Sequence, residues 1–213
     1  MWIKIKNNIL DILFPLNKLE RTVTNTNPSE FLQVVPRAVN SPYPDTVVIL
    51  QYRHSLVRTA IHLLKYKGNL EATKLLSDIL SDRIDYEISK QNINNPIIIP
   101  IPISKNKLKE RGFNQTERMC KMIQKNKNRN SLDFQYNLLK KIKETKNQTE
   151  IKKREARLKN LLGVFSVSNS SIIKDREIIV IDDVTTTGAT LKEASRALYQ
   201  VGAKKVISIV LAH

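Results

Sequence analysis

Residues 179–190, IVIDDVTTTGAT, hold the densest chemistry in the chain. A run of β-branched residues ends in two carboxylates, Asp182 and Asp183. A loop rich in threonine and glycine follows and opens a helix. In open α/β sheets, ligands bind at the carboxyl ends of parallel strands. A helix N-terminus offers unpaired N–H groups and positive partial charge, which suits phosphate. Gly188 lets the backbone approach an anion closely. The hydroxyls of Thr186, Thr187 and Thr190 supply further donors. Asp182 and Asp183 repel phosphate, so ribose hydroxyls or a magnesium ion are their natural partners. The plainer reading is a helix cap after a core strand, but two adjacent acids and three threonines exceed what a cap needs. A dinucleotide site is disfavoured because G-x-G-x-x-G is absent, and a P-loop is excluded because no G-K-[ST] follows the glycine.

The elements around this motif follow from pattern. Residues 178–181 (IIVI) read as a strand. Leu191, Ala194, Leu198 and Val201 mark a helix stopped by Gly202, and residues 206–211 (VISIVL) form a last strand. Strand, helix, strand makes a βαβ unit, so the sheet is expected to be parallel and buried. Upstream, residues 45–52 read as a strand. One helix runs from Leu56 to about Gly68, and a second carries Leu75, Leu76, Ile79 and Leu80. Residues 97–103 (IIIPIPI) begin as a buried strand in which Pro100 and Pro102 are expected to end regular pairing. A helix over about 114–125 follows, then a turn over 126–137, short strands near 138–142 and 163–167, and a long polar segment over 143–160. Ile5, Ile9, Ile12 and Leu13 give residues 1–15 a short amphipathic helix that packs on the domain or lies on a membrane surface. It lacks the pattern of a secretory signal. Residues 22–46 read as an irregular tether.

The 213 residues suit one α/β domain plus an extension, and 41% hydrophobic content excludes wholesale disorder. Thirty-six Lys and Arg against 20 Asp and Glu give a net charge of +16, which points to an anionic partner. Residues 104–160 alone carry 18 basic against 6 acidic residues. One cysteine, Cys120, excludes an internal disulfide and a multi-cysteine zinc site, and it fits a reducing cytosol. No apolar run approaches the roughly 18 residues of a membrane span.

A phosphate, a ribose diol and a metal at one place describe phosphoribosyl pyrophosphate. IVIDDVTTTGAT resembles the signature of type I phosphoribosyltransferases. That resemblance implies that Asp182 and Asp183 take the ribose, while Thr185, Thr186, Thr187, Gly188, Ala189 and Thr190 wrap the 5′-phosphate. Thr185 stands where the family often has an aliphatic residue. Residues 99–117 (IPIPISKNKLKERGFNQTE) resemble the ComF family of competence-associated phosphoribosyltransferase-like proteins. So do the spacing of Gln148, Arg154, Arg157 and Asn160, the closing VISIVLAH, and Tyr52, Lys65 and Gly68. The resemblance covers about residues 47–213. ILDILFP, residues 9–15, matches that family's opening, but the four-cysteine zinc module that usually follows is missing.

The resemblance implies a type I phosphoribosyltransferase-like α/β fold, a mainly parallel twisted sheet with helices on both faces. It spans residues 47–213 behind an N-terminal helix and extension over 1–46. By position, residues 102–105 correspond to the diphosphate-binding loop. Ser104, Lys105, Lys107 and Arg111 are the candidates there, and RGFNQ alternatively starts a helix capped by Asn114. The segment 143–160 corresponds to a closing lid. It brings Lys146 and Arg154, with Arg157, as candidates to stabilise leaving pyrophosphate. Magnesium is the implied cofactor, with no protein ligand expected beyond Asp182 and Asp183.

Two functions stay open. One is a magnesium-dependent phosphoribosyltransferase of unknown acceptor. The other is a non-catalytic factor that binds single-stranded DNA through its basic surface. The competence role implied by the family brings single-stranded DNA and a competence helicase as partners, in the cytoplasm or at the inner membrane face. Against a dedicated single-strand reader, only 6% of residues are aromatic, and few of these lie among the charges.

Overall fold

The computed structural model describes residues 15–38, 41, 43–126, 132–143 and 162–213. Five strands form one parallel sheet: β1 (Thr46–Leu50), β2 (Ile97–Pro100), β3 (Asp133–Phe134), β6 (Glu177–Val184) and β7 (Lys205–Ala212), in the order β1-β7-β6-β2-β3. Two short strands, β4 (Leu139–Lys141) and β5 (Phe165–Val167), pair antiparallel beside it. The apolar run of β6 follows from its central place. Ile179 and Ile181 enter the core on one face of the sheet, and Ile178 and Val180 enter it on the other. Both faces are therefore covered, as a parallel sheet requires.

The first face packs against α3 (Ser55–His62), α4 (Leu70–Lys90) and α6 (Gln115–Asn126). The second packs against α8 (Ala189–Gln200), α7 (Ser170–Ile173) and the β4–β5 pair. α8 connects β6 to β7 and completes the expected βαβ unit.

The segment over 22–46 is not wholly irregular. It contains α2 (Pro28–Val34) and the end of α1 (Lys18–Thr24), each opened by a reciprocal capping box, Asn17 with Glu20 and Asn27 with Glu30. Val23, Phe31 and Val35 are buried in the same cluster as α3 and α4. Lys67 pairs with buried Glu20 at 2.8 Å and ties α1 to the end of the α3 region. The amphipathic stretch read over 1–15 lies outside the described residues, apart from Pro15.

Pairing does not stop at Pro100. Pro100 is in register with Ile181, and the Ile101 N–H donates to the Ile181 carbonyl at 2.8 Å. In a parallel strand, alternate residues bond to opposite neighbours. Pro100 shares its side with Ile98, whose carbonyl accepts from Gln135 at the end of β3. The missing proline N–H thus falls beyond the end of the β3 partner, where no ladder bond is lost. Two elements were not read from sequence. β3 has only two residues, and α5 (Lys105–Arg111) has no buried residue to give it a periodic stripe.

Among the described residues, no helix is long and apolar enough to cross a membrane.

Candidate functional site

The carboxyl ends of β6 and β2 lie side by side, because Pro100 pairs with Ile181. Residues 102–104 therefore run next to Asp182 and Asp183, as motif position had suggested. Ser104 caps α5 by accepting from the Lys107 N–H at 3.3 Å, so its hydroxyl is spent on the helix start. Asn114 donates to the Ile101 carbonyl and accepts from the Thr116 N–H, which makes it both a cap and a tether to β2.

β6 extends through the acid pair, so both aspartates are held by strand backbone. Each also accepts from the next N–H: Asp183 to Asp182 Oδ1 at 2.8 Å, and Val184 to Asp183 Oδ1 at 2.7 Å. Asp183 is buried and forms an ion pair with Lys65 at 3.0 Å. Asp182 is half-buried and has no such partner among the described residues; burial and the adjacent Asp183 charge push its carboxyl up to about 7.

Lys65 sits in a π-helical turn, Leu63–Lys67, that continues α3. Leu63 and Leu64 go into the core, while Lys65 reaches Asp183. Such turns often mark functional places. Burial alone would lower the Lys65 ammonium, but Asp183 and Asp182 outweigh that and hold it above its ordinary value. The turn ends at Gly68, which is left-handed with φ +55°. A Cβ there would come within 2.8 Å of the Arg118 guanidinium and 3.3 Å of the Phe113 ring.

α5 contributes two more cations. Burial and then the neighbouring charges of Arg111 and Lys65 lower the Lys107 ammonium. Arg111 stacks over the Tyr66 ring at 5.0 Å and donates to buried Gln115 at 3.1 Å.

Past the acids, Thr185 Oγ1 accepts from the Gly188 N–H at 3.2 Å, and Thr187 Oγ1 accepts from Ala189 at 3.4 Å. The loop is therefore a turn braced by its own hydroxyls. Gly188, at φ +69°, is the N-cap of α8, and Ala189 and Thr190 begin the helix. Tyr43 covers this turn. Its hydroxyl donates to the Thr186 carbonyl, its ring lies against Gly188, and it meets the His213 ring edge-on at 5.5 Å.

The structure thus brings Asp182, Asp183 and the Thr185–Thr190 turn together with Lys107 and Arg111, while Ser104 and Lys105 begin α5. Lys146, Arg154 and Arg157 lie outside the described residues. Lys65 was not read as a site residue. Its only sequence signal was its place in the family resemblance, because nothing local relates it to Asp183. Among the described residues, no cluster of three or more His, Cys, Asp or Glu could hold a metal ion.

Residues 125–213 match the family described as phosphoribosyl transferase domain. The competence protein ComFC of Bacillus subtilis is 26% identical over 169 residues, which cover 77% of this chain and 64% of that protein. The competence protein ComFC of Streptococcus pneumoniae is 31% identical over 143 residues, 67% of this chain and 56% of that one. The chain spans less than two thirds of the length of either relative. Among solved structures, the hypoxanthine-guanine phosphoribosyltransferase of L. donovani aligns with a TM-score of 0.40 and 11% identity, covering 66% of this chain and 67% of that one.

Proposed function

The chain belongs to the ComF family of phosphoribosyltransferase-like proteins, and from that premise we propose that its acid-pair site binds phosphoribosyl pyrophosphate. The observation that carries this reading is electrostatic. Asp182 is raised and Lys107 is lowered within one site. Neither group is in an ion pair among the described residues, and their attraction to nearby opposite charges does not offset their burial. A diphosphate accompanied by a divalent cation satisfies both.

In this arrangement the ribose hydroxyls lie on Asp182 and Asp183. The 5′-phosphate takes the N–H groups and hydroxyls of the Thr185–Thr190 turn at the N-terminus of α8. The diphosphate lies toward Lys107, Arg111 and the backbone of residues 102–105. The donor set fits magnesium only as an ion carried mainly by ligand oxygens. Asp183 is committed to Lys65, which leaves Asp182 as the available carboxylate. When bound, the ion would neutralise diphosphate charge.

Transfer would form a bond between a nitrogen nucleophile and the anomeric carbon as the bond to the diphosphate oxygen breaks. Pyrophosphate departs with the electron pair. The acid pair would stabilise positive charge building on the ribose ring. Lys107 and Arg111, with Lys146 and Arg154 from the segment over 143–160, would stabilise the leaving group.

Calorimetric titration with phosphoribosyl pyrophosphate and magnesium tests binding, and pyrophosphate release over a panel of bases tests transfer. Saturable binding that Asp182→Asn/Asp183→Asn abolishes is expected. Unchanged affinity in that variant would refute the ribose assignment.

The net charge of +16 favours a second reading, a non-catalytic factor that binds single-stranded DNA at the cytoplasmic side during uptake, alongside a competence helicase. Exposed Lys105 and Lys109 on α5 add to that surface. Affinity for an oligonucleotide should then fall with salt at a slope of about 0.7 per neutralised phosphate. Weak binding at low salt would leave the charge as surface composition.

A further inference from the structure

The Thr185–Thr190 turn is held from behind by two residues outside its motif. Tyr43, ahead of β1, donates its hydroxyl to the Thr186 carbonyl. His213, just after β7, meets the Thr185 carbonyl through Nδ1 at 3.0 Å. A carbonyl only accepts, so that ring nitrogen carries its proton. The two rings meet edge-on at 5.5 Å, and the Tyr43 ring lies where a Gly188 side chain would stand. Both residues are themselves tied down. The Ser41 hydroxyl accepts from the Tyr43 N–H and donates to the Tyr43 carbonyl, each at 3.2 Å. The His213 N–H donates to the Leu50 carbonyl, and its carbonyl accepts from the Tyr52 N–H.

These contacts dictate where the N–H groups of the turn go. The peptides here are trans. In a trans peptide the carbonyl and the N–H that follows it point in opposite directions. With the Thr185 and Thr186 carbonyls drawn to one side, the N–H groups of Thr186 and Thr187 face the other. The neighbouring donors are already used. Thr185 N–H donates to the Ala212 carbonyl, Gly188 N–H to Thr185 Oγ1, and Ala189 N–H to Thr187 Oγ1. Among the described residues, the Thr186 and Thr187 N–H groups meet no acceptor. Thr186 is exposed, so a ligand can reach them. Successive N–H groups aimed to one side suit an anion, and a donor on each carbonyl polarises the peptide further in the same sense.

We propose that Tyr43 and His213 are positioning residues for a bound phosphate. By holding two carbonyls of the turn, they fix the Thr186 and Thr187 N–H groups toward the anion before it arrives. The proposal rests on the reading of this turn as the 5′-phosphate site. Pre-organisation of this kind removes an ordering cost from binding. Without the Tyr43 hydroxyl the Thr186–Thr187 peptide is free to turn, and its carbonyl then competes with its N–H for the place beside the anion.

The test titrates inorganic phosphate into the isotope-labelled full chain and follows the amide resonances of Thr186 and Thr187, in wild type and in Asp182→Asn/Asp183→Asn. Both amides should shift saturably in both proteins, because this probe needs only the turn. Tyr43→Phe keeps the ring against Gly188 and removes only the hydroxyl. It should weaken phosphate by about five-fold, the factor of one ordinary hydrogen bond. His213→Ala should weaken it similarly. His213→Asn, whose amide nitrogen stands where Nδ1 stood, should restore most of the affinity. A purely structural role would lower the melting temperature of Tyr43→Phe and His213→Ala and leave phosphate affinity unchanged, which would overturn the proposal. So would the absence of any shift at Thr186 and Thr187 in wild type at tens of millimolar phosphate, or a His213→Asn variant as weak as His213→Ala. The acid-pair reading is judged apart. If phosphoribosyl pyrophosphate fails to bind wild type while the phosphate response still depends on Tyr43, that reading falls and this one stands.

Discussion

Asp182→Asn should stabilise the free protein at alkaline pH while removing its ligand. Burial and the adjacent Asp183 charge raise the Asp182 carboxyl from 3.8 to about 7. The folded state therefore holds this proton more tightly than the unfolded chain. The stability linked to it is complete below about pH 4 and is lost as pH climbs through about 7. At 1.36 kcal/mol per unit, a shift of about three units sets a ceiling of about 4 kcal/mol. Asp182 is only half-buried and keeps some water, which screens the penalty, so about 1–2 kcal/mol is expected at pH 8. Asparagine keeps Oδ1 to accept the Asp183 N–H and carries no charge to bury. Urea unfolding in the presence of a chelator measures the difference. The variant should be more stable than wild type at pH 8, with a melting temperature a few degrees higher, and should match it at about pH 4.5. No gain at pH 8, or a gain of equal size in acid, would refute the electrostatic reasoning. The same variant should fail to bind phosphoribosyl pyrophosphate, which makes the site a place where stability is given up for function.

Lys65→Met should leave Asp183 buried without its counter-ion and lower unfolding free energy by about 3–5 kcal/mol, with Lys65→Arg recovering part of the loss in denaturant curves. Gly188→Ala places a Cβ 2.7 Å from the Tyr43 ring at φ +69° and should cost about 1–3 kcal/mol, less in a Tyr43→Ala background where the clash is relieved. Phe31→Ala should cost about 3–5 kcal/mol if α2 belongs to the folded domain, and near-zero loss would return it to an appendage. Arg154→Ala should lower pyrophosphate release more than it weakens ligand binding if the residue acts on the transition state, whereas loss of affinity alone would favour a binding role.

What could be read from sequence was local. The β6 and β7 runs declare buried parallel strands, and the acid pair and its turn sit within one motif, so their adjacency needs no tertiary knowledge. α5 escaped because KNKLKER gives a helix only one large apolar residue, Leu108, and that residue is exposed. Its ends were nonetheless marked by Ser104 and Gly112. The helices within the supposed tether were similarly marked. Asn27, Pro28 and Glu30 form a start signal, but the high Thr, Asn, Ser and Pro content around them reads as loop. β3 could not be read, since two residues carry no period. Lys65 could not be placed either. The contact with Asp183 depends on how α3 packs on the sheet, which no local pattern encodes.

That contact decides how the two acids divide their work. In a regular α-helix one turn takes 3.6 residues, while the π turn over Leu63–Lys67 is wider. Leu63 and Leu64 both remain in the core, and Lys65, next in sequence, meets Asp183 with its side chain only 18% exposed. Asp183 is thereby neutralised from within the protein. Asp182, one residue earlier and alternating in direction along β6, is raised by burial and its like-charged neighbour more than Lys65 and Lys107 lower it. Lys107 is lowered by burial and by the cations Arg111 and Lys65 more than the two acids raise it. Had Lys65 lain between the two acids, Asp182 would be satisfied too, and little of the site would call for a ligand. By committing one cation to one acid, the fold leaves one unmet charge of each sign at the joined ends of β6 and β2. A ligand that brings an anion and a cation together relieves both, whereas a simple anion relieves only Lys107. Inorganic pyrophosphate should therefore bind more weakly without magnesium than with it. The magnesium dependence should shrink in Asp182→Asn, where no carboxylate awaits the ion. Calorimetry of pyrophosphate with and without the metal, in both proteins, measures this directly. An equal magnesium effect in the two would remove Asp182 from any role toward the cation.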